Sequence, residues 1–252
     1  MGLLSRFPIT QVRSHIDELN DQRGRIFSRD CLEAEIVLPE GLTLTLFINH
    51  LKSKLVQRKK NESDAEYLGK VLQSHKKRLA QAQKVAEYVN ARFSGHHDQS
   101  LYAVVGDFND TPESPWVAPV IKLPHLTDLL AAHRPHNDRW TYYRRGNGHV
   151  SQIDYVLASR ALARRVADVV ASDPLRKPHI ERQGLAYKQL NNAGQILPKA
   201  TTLVHFEEDE VTPAPAEASP DEKTSFQFPR YPEVMANWKT NISDHCPVKV
   251  WF

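Results

Sequence analysis

The chain has 252 residues, of which 40% are hydrophobic and 25% are charged, and its formal net charge is +3. This composition excludes disorder of the whole chain, and it excludes a protein that coats nucleic acid by bulk electrostatics, so affinity for phosphates must come from local clusters. No apolar run is long enough to span a bilayer, and the chain as written is expected to be soluble and cytoplasmic.

Five segments have the composition and length of β-strands: residues 32–38, 42–48, 101–105, 152–158 and 246–252. The turn Pro39-Glu40-Gly41 is expected to join the first two into a hairpin. The third is a continuous apolar run that leads into Gly106, which is typical of a buried strand that ends in a functional loop.

A long amphipathic helix is predicted between the hairpin and the third strand. It begins with the capping-box pair Ser63 and Glu66 and ends at Gly95, with Gly69 as a candidate break. Residues 52–60 and 76–78 form basic runs, which are expected either to be solvated, on a loop and on a helix face, or to contact a polyanion.

The order of these elements predicts the fold class. Strands and a helix alternate in the first half, and strands return later without regular helices between them, which favours an α/β sandwich of mixed sheets flanked by helices. Between about residues 172 and 240 the periodicity fades and Pro and acidic residues accumulate. We predict that this stretch is a long, partly mobile insertion in a single domain that covers residues 1–252.

Several familiar sites can be excluded. The chain has no Walker-type Gly-Lys-Ser/Thr, and Gly146-Asn147-Gly148 lacks the context of a dinucleotide loop. Asp107, Asn109 and Thr111 imitate the start of a calcium-binding loop, but Pro112 stands where that loop needs a glycine. Cys31 and Cys246 lack the spacing of a zinc site and are expected to be buried thiols.

Oxygen and imidazole groups remain, and they follow or begin the predicted strands: Asn49 and His50, Asp107 and Asn109, Asp154, and Asp244 and His245. Strand ends in an α/β sheet can converge on one edge, so these groups could meet in space. Taken alone, an Asp-x-Asn sequence after a strand is more often an Asx-turn than a metal site. Likewise, Trp140, Tyr142 and Tyr143 could stack on bases or could form a half-buried hairpin strand.

Five motifs in order carry a family resemblance: Leu-Ser-Arg-Phe-Pro-Ile at residues 4–9, Asn-His-Leu-Lys-Ser-Lys at 49–54, Gly-Asp-Phe-Asn at 106–109, Ile-Asp-Tyr-Val-Leu-Ala-Ser at 153–159 and Ser-Asp-His-Cys-Pro-Val at 243–248. Together they resemble the endonuclease/exonuclease/phosphatase superfamily. The resemblance implies a deoxyribonuclease I-like α/β sandwich and phosphodiester hydrolysis that depends on a divalent metal, Mg²⁺ or Mn²⁺.

The resemblance also implies roles for individual residues. Asp244 would be a metal ligand, Asp107 would bind metal or activate the attacking water, and Asn109 would bind metal or position the water or phosphate. Asp and Asn oxygens suit hard cations of this kind.

Two histidines and two lysines complete the implied site. His50 would be the general acid towards the leaving oxygen, and His245, oriented by Asp154, would be a general base or a charged donor to the phosphate. Lys52 and Lys54, which follow His50, would contact substrate phosphates.

The resemblance implies a nuclease that acts on DNA or RNA. Two alternatives stay open: a phospholipid or inositol-phosphate hydrolase of the same fold, and an inactive nucleic-acid-binding derivative. The second alternative arises because the family's counterpart of residues 4–9 lies inside the domain, after strands that bear a metal-binding glutamate.

The chain is therefore expected to lack the N-terminal part of the domain, including that glutamate and any targeting signal. A sheet without its early strands would expose backbone edges, which predicts self-association through them.

Overall fold

A computed structural model describes residues 2–136, 139–144, 149–166, 168–171, 245 and 248–251. These residues belong to two compact units. The first unit contains residues up to 132 together with 153–166, and the second contains residues 133–152 together with those from 167 to 251. The prediction of an insertion at about 172–240 lies outside the described residues, as do Asp244 and Cys246.

The first unit is built on a six-stranded mixed sheet. Its strands, in the order in which they lie in the sheet, are β1 (Ile9–Ser14), β2 (Cys31–Val37), β3 (Thr43–His50), β4 (Leu101–Asp107), β8 (Asp154–Ser159) and β5 (Leu126–Asp128). Strands β3 and β4 are parallel, whereas every other neighbouring pair is antiparallel. The predicted α/β class with a mixed sheet is confirmed, and so is the hairpin, which β2 and β3 form.

Helix α1 (Asp64–Arg92) connects the two parallel strands, as parallel pairing requires. The capping box between Ser63 and Glu66 is present, and the helix continues through Gly69 without a break. Its apolar face is buried with the sheet in one core, which contains Ala82, Val85, Val89, Phe47 and Tyr102. Cys31 is a buried free thiol in the same core, as predicted.

Strand β1 is the one element of this sheet whose residues are exposed along its whole length. Among the described residues, it lies at the edge of the sheet and pairs with β2 alone. An exposed edge of this kind is open to pairing with another chain, but self-association through it stays a prediction.

The second unit contains two short antiparallel pairs. Strand β6 (Tyr142–Arg144) pairs with β7 (His149–Ser151), and β9 (Asp168–Ala171) pairs with β10 (Val248–Trp251). Tyr142 and Tyr143 therefore lie on a hairpin strand, and the predicted C-terminal strand is present as β10. Three short helices complete the described elements: α2 (Ala118–Ile121), α3 (Leu129–His133) and α4 (Arg160–Ala163).

Within the part of the chain that the structure describes, no helix is both long enough and apolar enough to cross a bilayer.

Two stacked histidines near the start of β4 predict a pH-dependent stability. The rings of His97 and His125 lie 3.7 Å apart between centroids, and His97 Nδ1 lies 3.0 Å from the hydroxyl of Tyr102. Burial lowers the pKa of both imidazoles, and the charge of a neighbouring histidine, His96 for His97 and His97 for His125, lowers each further.

Because the folded-state pKa values lie below the unfolded value of about 6.5, the unfolded chain binds more protons as the pH falls. The contribution to stability is therefore complete above about pH 6.5 and is lost as the pH falls below it. Urea denaturation between pH 8 and pH 5 should show this loss, and His125→Phe should flatten it. The exposed control His133→Gln should leave the profile unchanged; a flat profile in the unmodified protein would contradict the account.

Candidate functional site

Three of the predicted site residues lie side by side at one edge of the first unit's sheet. His50 ends β3 and is the register partner of Asp107, which ends β4. Asp107 is in turn the register partner of Asp154, which begins β8. Residues directly opposite each other on neighbouring strands project to the same face, so pairing between strands brings these side chains together.

The side chains meet closely at this edge. The Oδ2 of Asp107 lies 3.2 Å from Nε2 of His50, and carboxylate oxygens of Asp107 and Asp154 lie within 4.8 Å of each other. The Asp107 side chain is 14% exposed and that of His50 is 36% exposed, so the cluster is reachable from solvent. Two carboxylates opposite each other repel, and a bound cation would relieve that repulsion.

The backbone at the end of β4 and in the loop after it has positive φ angles at two residues, Gly106 and Asn109. Gly106 has a φ of 123°, and a Cβ at this position would lie 2.0 Å from the carbonyl oxygen of Asn49 on β3. Asn109 adopts the left-handed conformation with a φ of 55°, which Asn tolerates better than most residues. The glycine thus allows β3 and β4 to approach, and the asparagine turns the chain directly after the strand.

Asn109 is held by three hydrogen bonds. Its backbone N–H donates to Oδ1 of Asp107 at 2.7 Å, which is the Asx-turn that the sequence also allowed. Its side-chain Nδ2 donates to Oδ2 of Asp107 at 3.0 Å and to the carbonyl oxygen of Leu51 at 3.1 Å. Because both bonds use the amide nitrogen, Oδ1 is the atom left to accept from a water or to bind a cation.

The two lysines after His50 differ in their surroundings. The Nζ of Lys54 lies 2.6 Å from Oδ1 of Asp110, so its ammonium already has an anionic partner, and the Lys54 side chain is 43% exposed. The backbone of Lys52 is held from α1, since its N–H donates to Gln81 and its carbonyl accepts from Arg78. Contact of either ammonium with substrate phosphate stays a prediction.

Sequence reasoning missed Asp110 and misjudged Arg78. Residues 76–78 were expected to be solvated or to contact a polyanion, but the Arg78 side chain is 0% exposed and its Nε donates to Oδ2 of Asp110 at 2.8 Å. Burial lowers the pKa of the Arg78 guanidinium, and the negative charges of Asp110 and Asp107 act in the opposite direction. The spacing along the helix could have indicated the burial of Arg78, because Arg78 lies four residues before Ala82 on the buried face.

His245 belongs to the second unit. Its backbone forms an isolated β-bridge with Tyr142, and the two rings lie 5.2 Å apart between centroids. The pairing of His245 with Asp154 and the role of Asp244 therefore stay predictions, and Asp244 lies outside the described residues.

The donors at the edge of the first unit fit a hard divalent cation. Asp107, Asp154 and Oδ1 of Asn109 offer oxygens, which Mg²⁺ and Mn²⁺ prefer. The structure thus adds Asp154 to the residues that could hold such a cation, besides its predicted role beside His245.

The chain belongs to the Endonuclease/Exonuclease/phosphatase family, whose sequence profile matches residues 1–245. This match confirms the resemblance carried by the five motifs, and with it the deoxyribonuclease I-like fold class.

Several solved structures match part of the chain at low sequence identity. An AP endonuclease from Archaeoglobus fulgidus is 19% identical with a TM-score of 0.44, over 68% of this chain and 66% of its own. A 3'-5' exonuclease from Neisseria meningitidis is 18% identical with a TM-score of 0.43, over 67% and 65%.

The beta toxin of Staphylococcus aureus is 14% identical with a TM-score of 0.43, over 66% of this chain and 55% of its own. The chain thus spans little more than half the length of that relative. No curated protein matches the chain significantly.

Proposed function

We propose that this protein hydrolyses phosphodiesters with the help of a divalent cation, Mg²⁺ or Mn²⁺, and that its substrate is DNA or RNA. Family membership supports the reaction class. The observation that carries the proposal is the row of His50, Asp107 and Asp154 across three neighbouring strands, with Nε2 of His50 at 3.2 Å from Asp107.

In the proposal, the residues of this row and Asn109 share the tasks of the reaction. Asp107 and Asp154 hold the cation, which when bound polarises the phosphoryl oxygens and favours formation of a nucleophile from water. Asn109, fixed by its bonds to Asp107 and Leu51, orients the attacking water or the phosphate through Oδ1. His50 donates a proton to the leaving oxygen.

Two residues beyond the row are included by family resemblance. Asp244 is assigned as a further metal ligand. His245 is assigned as the general base or as a charged donor to the phosphate. Support for both comes from the motif at residues 243–248.

The choice of nucleic acid rests on the basic loop that follows His50. Residues 52–60 contain five basic side chains, those of Lys52, Lys54, Arg58, Lys59 and Lys60, and such a run beside a phosphodiester site suits a polyanion. Lys54 pairs with Asp110 and Arg58 with Asp64, which leaves the net charge of the loop positive.

One observation favours a second candidate, a phospholipid hydrolase. Leu55 lies in the same loop and is 76% exposed, and Leu68 on α1 is 61% exposed. Exposed apolar side chains next to basic ones are typical of proteins that act at an anionic lipid surface.

A panel of substrates tests the proposal and separates the two candidates. Purified protein is incubated with bis-p-nitrophenyl phosphate, single- and double-stranded DNA, RNA, and phospholipid vesicles, with Mg²⁺, with Mn²⁺ or with EDTA. We expect hydrolysis of the diester and of a nucleic acid that EDTA abolishes and added Mg²⁺ restores. Hydrolysis of the vesicles alone would favour the lipid candidate. Binding of nucleic acid without turnover of any substrate would contradict the proposal and favour the inactive derivative.

A further inference from the structure

A buried ion pair lies beneath the two loops that carry the proposed site. The guanidinium of Arg78, on α1, donates from Nε to Oδ2 of Asp110 at 2.8 Å. The side chains are 0% and 1% exposed, respectively. Asp110 directly follows Asn109 in the sequence, so the pair anchors the loop that leaves β4.

The same guanidinium holds the loop that leaves β3. Its Nη1 donates to the carbonyl oxygen of Lys52 at 2.6 Å, and Lys52 is two residues after His50. One side chain therefore joins the segment that carries His50 to the segment that carries Asp107 and Asn109. A planar guanidinium can make two such bonds in fixed directions, whereas a lysine ammonium cannot reproduce that geometry.

Neutral hydrogen bonds already fasten both loops. Gln81 accepts from the N–H of Lys52 at 2.7 Å, and the hydroxyl of Tyr155 donates to the carbonyl of Asp110 at 2.8 Å. A buried ion pair is weak evidence of added stability, because a well-packed apolar pair of similar volume is often equally stable. What the ion pair adds here is a defined geometry between two loops.

We propose that Arg78 is a positioning residue that holds the loops after β3 and β4 in register, through Lys52 and Asp110, and so sets the spacing between His50 and Asp107. This inference rests on the proposed function. Misplacement of a catalytic group by about 1 Å can cost on the order of 10²-fold in rate.

Three variants test the inference. Arg78→Lys keeps the charge but cannot make both hydrogen bonds of the guanidinium, to Asp110 and to the carbonyl of Lys52. Arg78→Met combined with Asp110→Leu removes both charges together, so that neither charge is left buried alone. The matched control is Arg92→Met, because Arg92 lies on the same helix and pairs with Glu33 and Glu35 on β2. We expect kcat to fall on the order of 10²-fold in the first two, with KM changed by less than about threefold, and to stay unchanged in the control.

Hydrogen exchange gives a second readout that does not depend on activity. The N–H groups of Leu51 and Asn109 both donate to Asp107, at 2.9 Å and 2.7 Å. In both Arg78 variants their exchange should accelerate at least about tenfold relative to amides of β2, as expected of a local opening. Unchanged kcat with unchanged exchange, or equal acceleration throughout the sheet, would overturn the inference. If the unmodified protein has no activity, the proposed function fails, while the exchange rates still decide whether Arg78 couples the loops.

Discussion

Replacing Asp107 by asparagine is expected to lower the rate of phosphodiester hydrolysis by on the order of 10³-fold while the protein stays folded. The asparagine has the same shape and retains an oxygen that can accept from the N–H of Asn109, so the loop should keep its conformation. It removes the negative charge that the cation needs. Steady-state rates with Mg²⁺, together with circular dichroism, measure both parts of this prediction.

The matched control for this variant is Asp98→Asn. Asp98 precedes β4, at the end of that strand away from Asp107, and its carboxylate lies 3.3 Å from Nη1 of Arg160. The loss of this exposed pair should leave the rate unchanged. Full activity of Asp107→Asn, or an equal loss in both variants, would show that Asp107 has no special part in the reaction.

Gly106→Ala is expected to cause a large loss of stability in the first unit. The new Cβ would lie 2.0 Å from the carbonyl oxygen of Asn49, and the backbone φ of 123° is strained for any residue other than glycine. Relief of the clash requires β3 and β4 to separate, which would disrupt the pairing that places His50 beside Asp107. We expect a cost of more than about 4 kcal/mol in the free energy of unfolding.

Gly69→Ala is the matched control. Gly69 lies in α1, and a Cβ there would have nothing within 4 Å. Because alanine favours the helix, this variant should gain roughly 0.5–1 kcal/mol. Urea denaturation of both variants measures the difference, and a midpoint of Gly106→Ala equal to that of the unmodified protein would refute the packing argument.

The central elements of the first unit were predictable because their signals are local. Alternation around a turn predicted the β2–β3 hairpin, and the capping box predicted the start of α1 at the residue where it begins. Gly69 did not break the helix, since one glycine costs only about 1 kcal/mol and the packing of the helix against the sheet outweighs it.

Strand β1 was not predicted, and the exposure of its residues explains why. All six of its residues are exposed, so its sequence carries no apolar alternation. It is a strand because its backbone pairs with β2, and the sequence of a segment does not record such a partner. The short strand β9 was missed for a related reason, since it exists through pairing with β10, more than seventy residues later.

The candidate site likewise contains residues that the sequence could predict and residues that it could not. Asp107, Asn109, His50 and Asp154 could be named because motifs in a fixed order carry them, and the structure places them at one edge of the first unit. Arg78 and Asp110 could not, because neither has a motif and they are 32 residues apart. Their contact depends on how α1 packs against the sheet, which local patterns do not specify.

A titration with Mn²⁺ tests the central claim most directly. Binding is monitored through the loss of the electron paramagnetic resonance signal of the free ion. The account predicts that the protein binds about one Mn²⁺ per chain at the edge formed by β3, β4 and β8, and that Mg²⁺ competes for the site. Asp107→Asn should weaken this binding at least about tenfold, whereas Asp98→Asn should not. Absence of binding to the unmodified protein, or equal binding by Asp107→Asn, would contradict the assignment of Asp107 to a metal-dependent hydrolytic site.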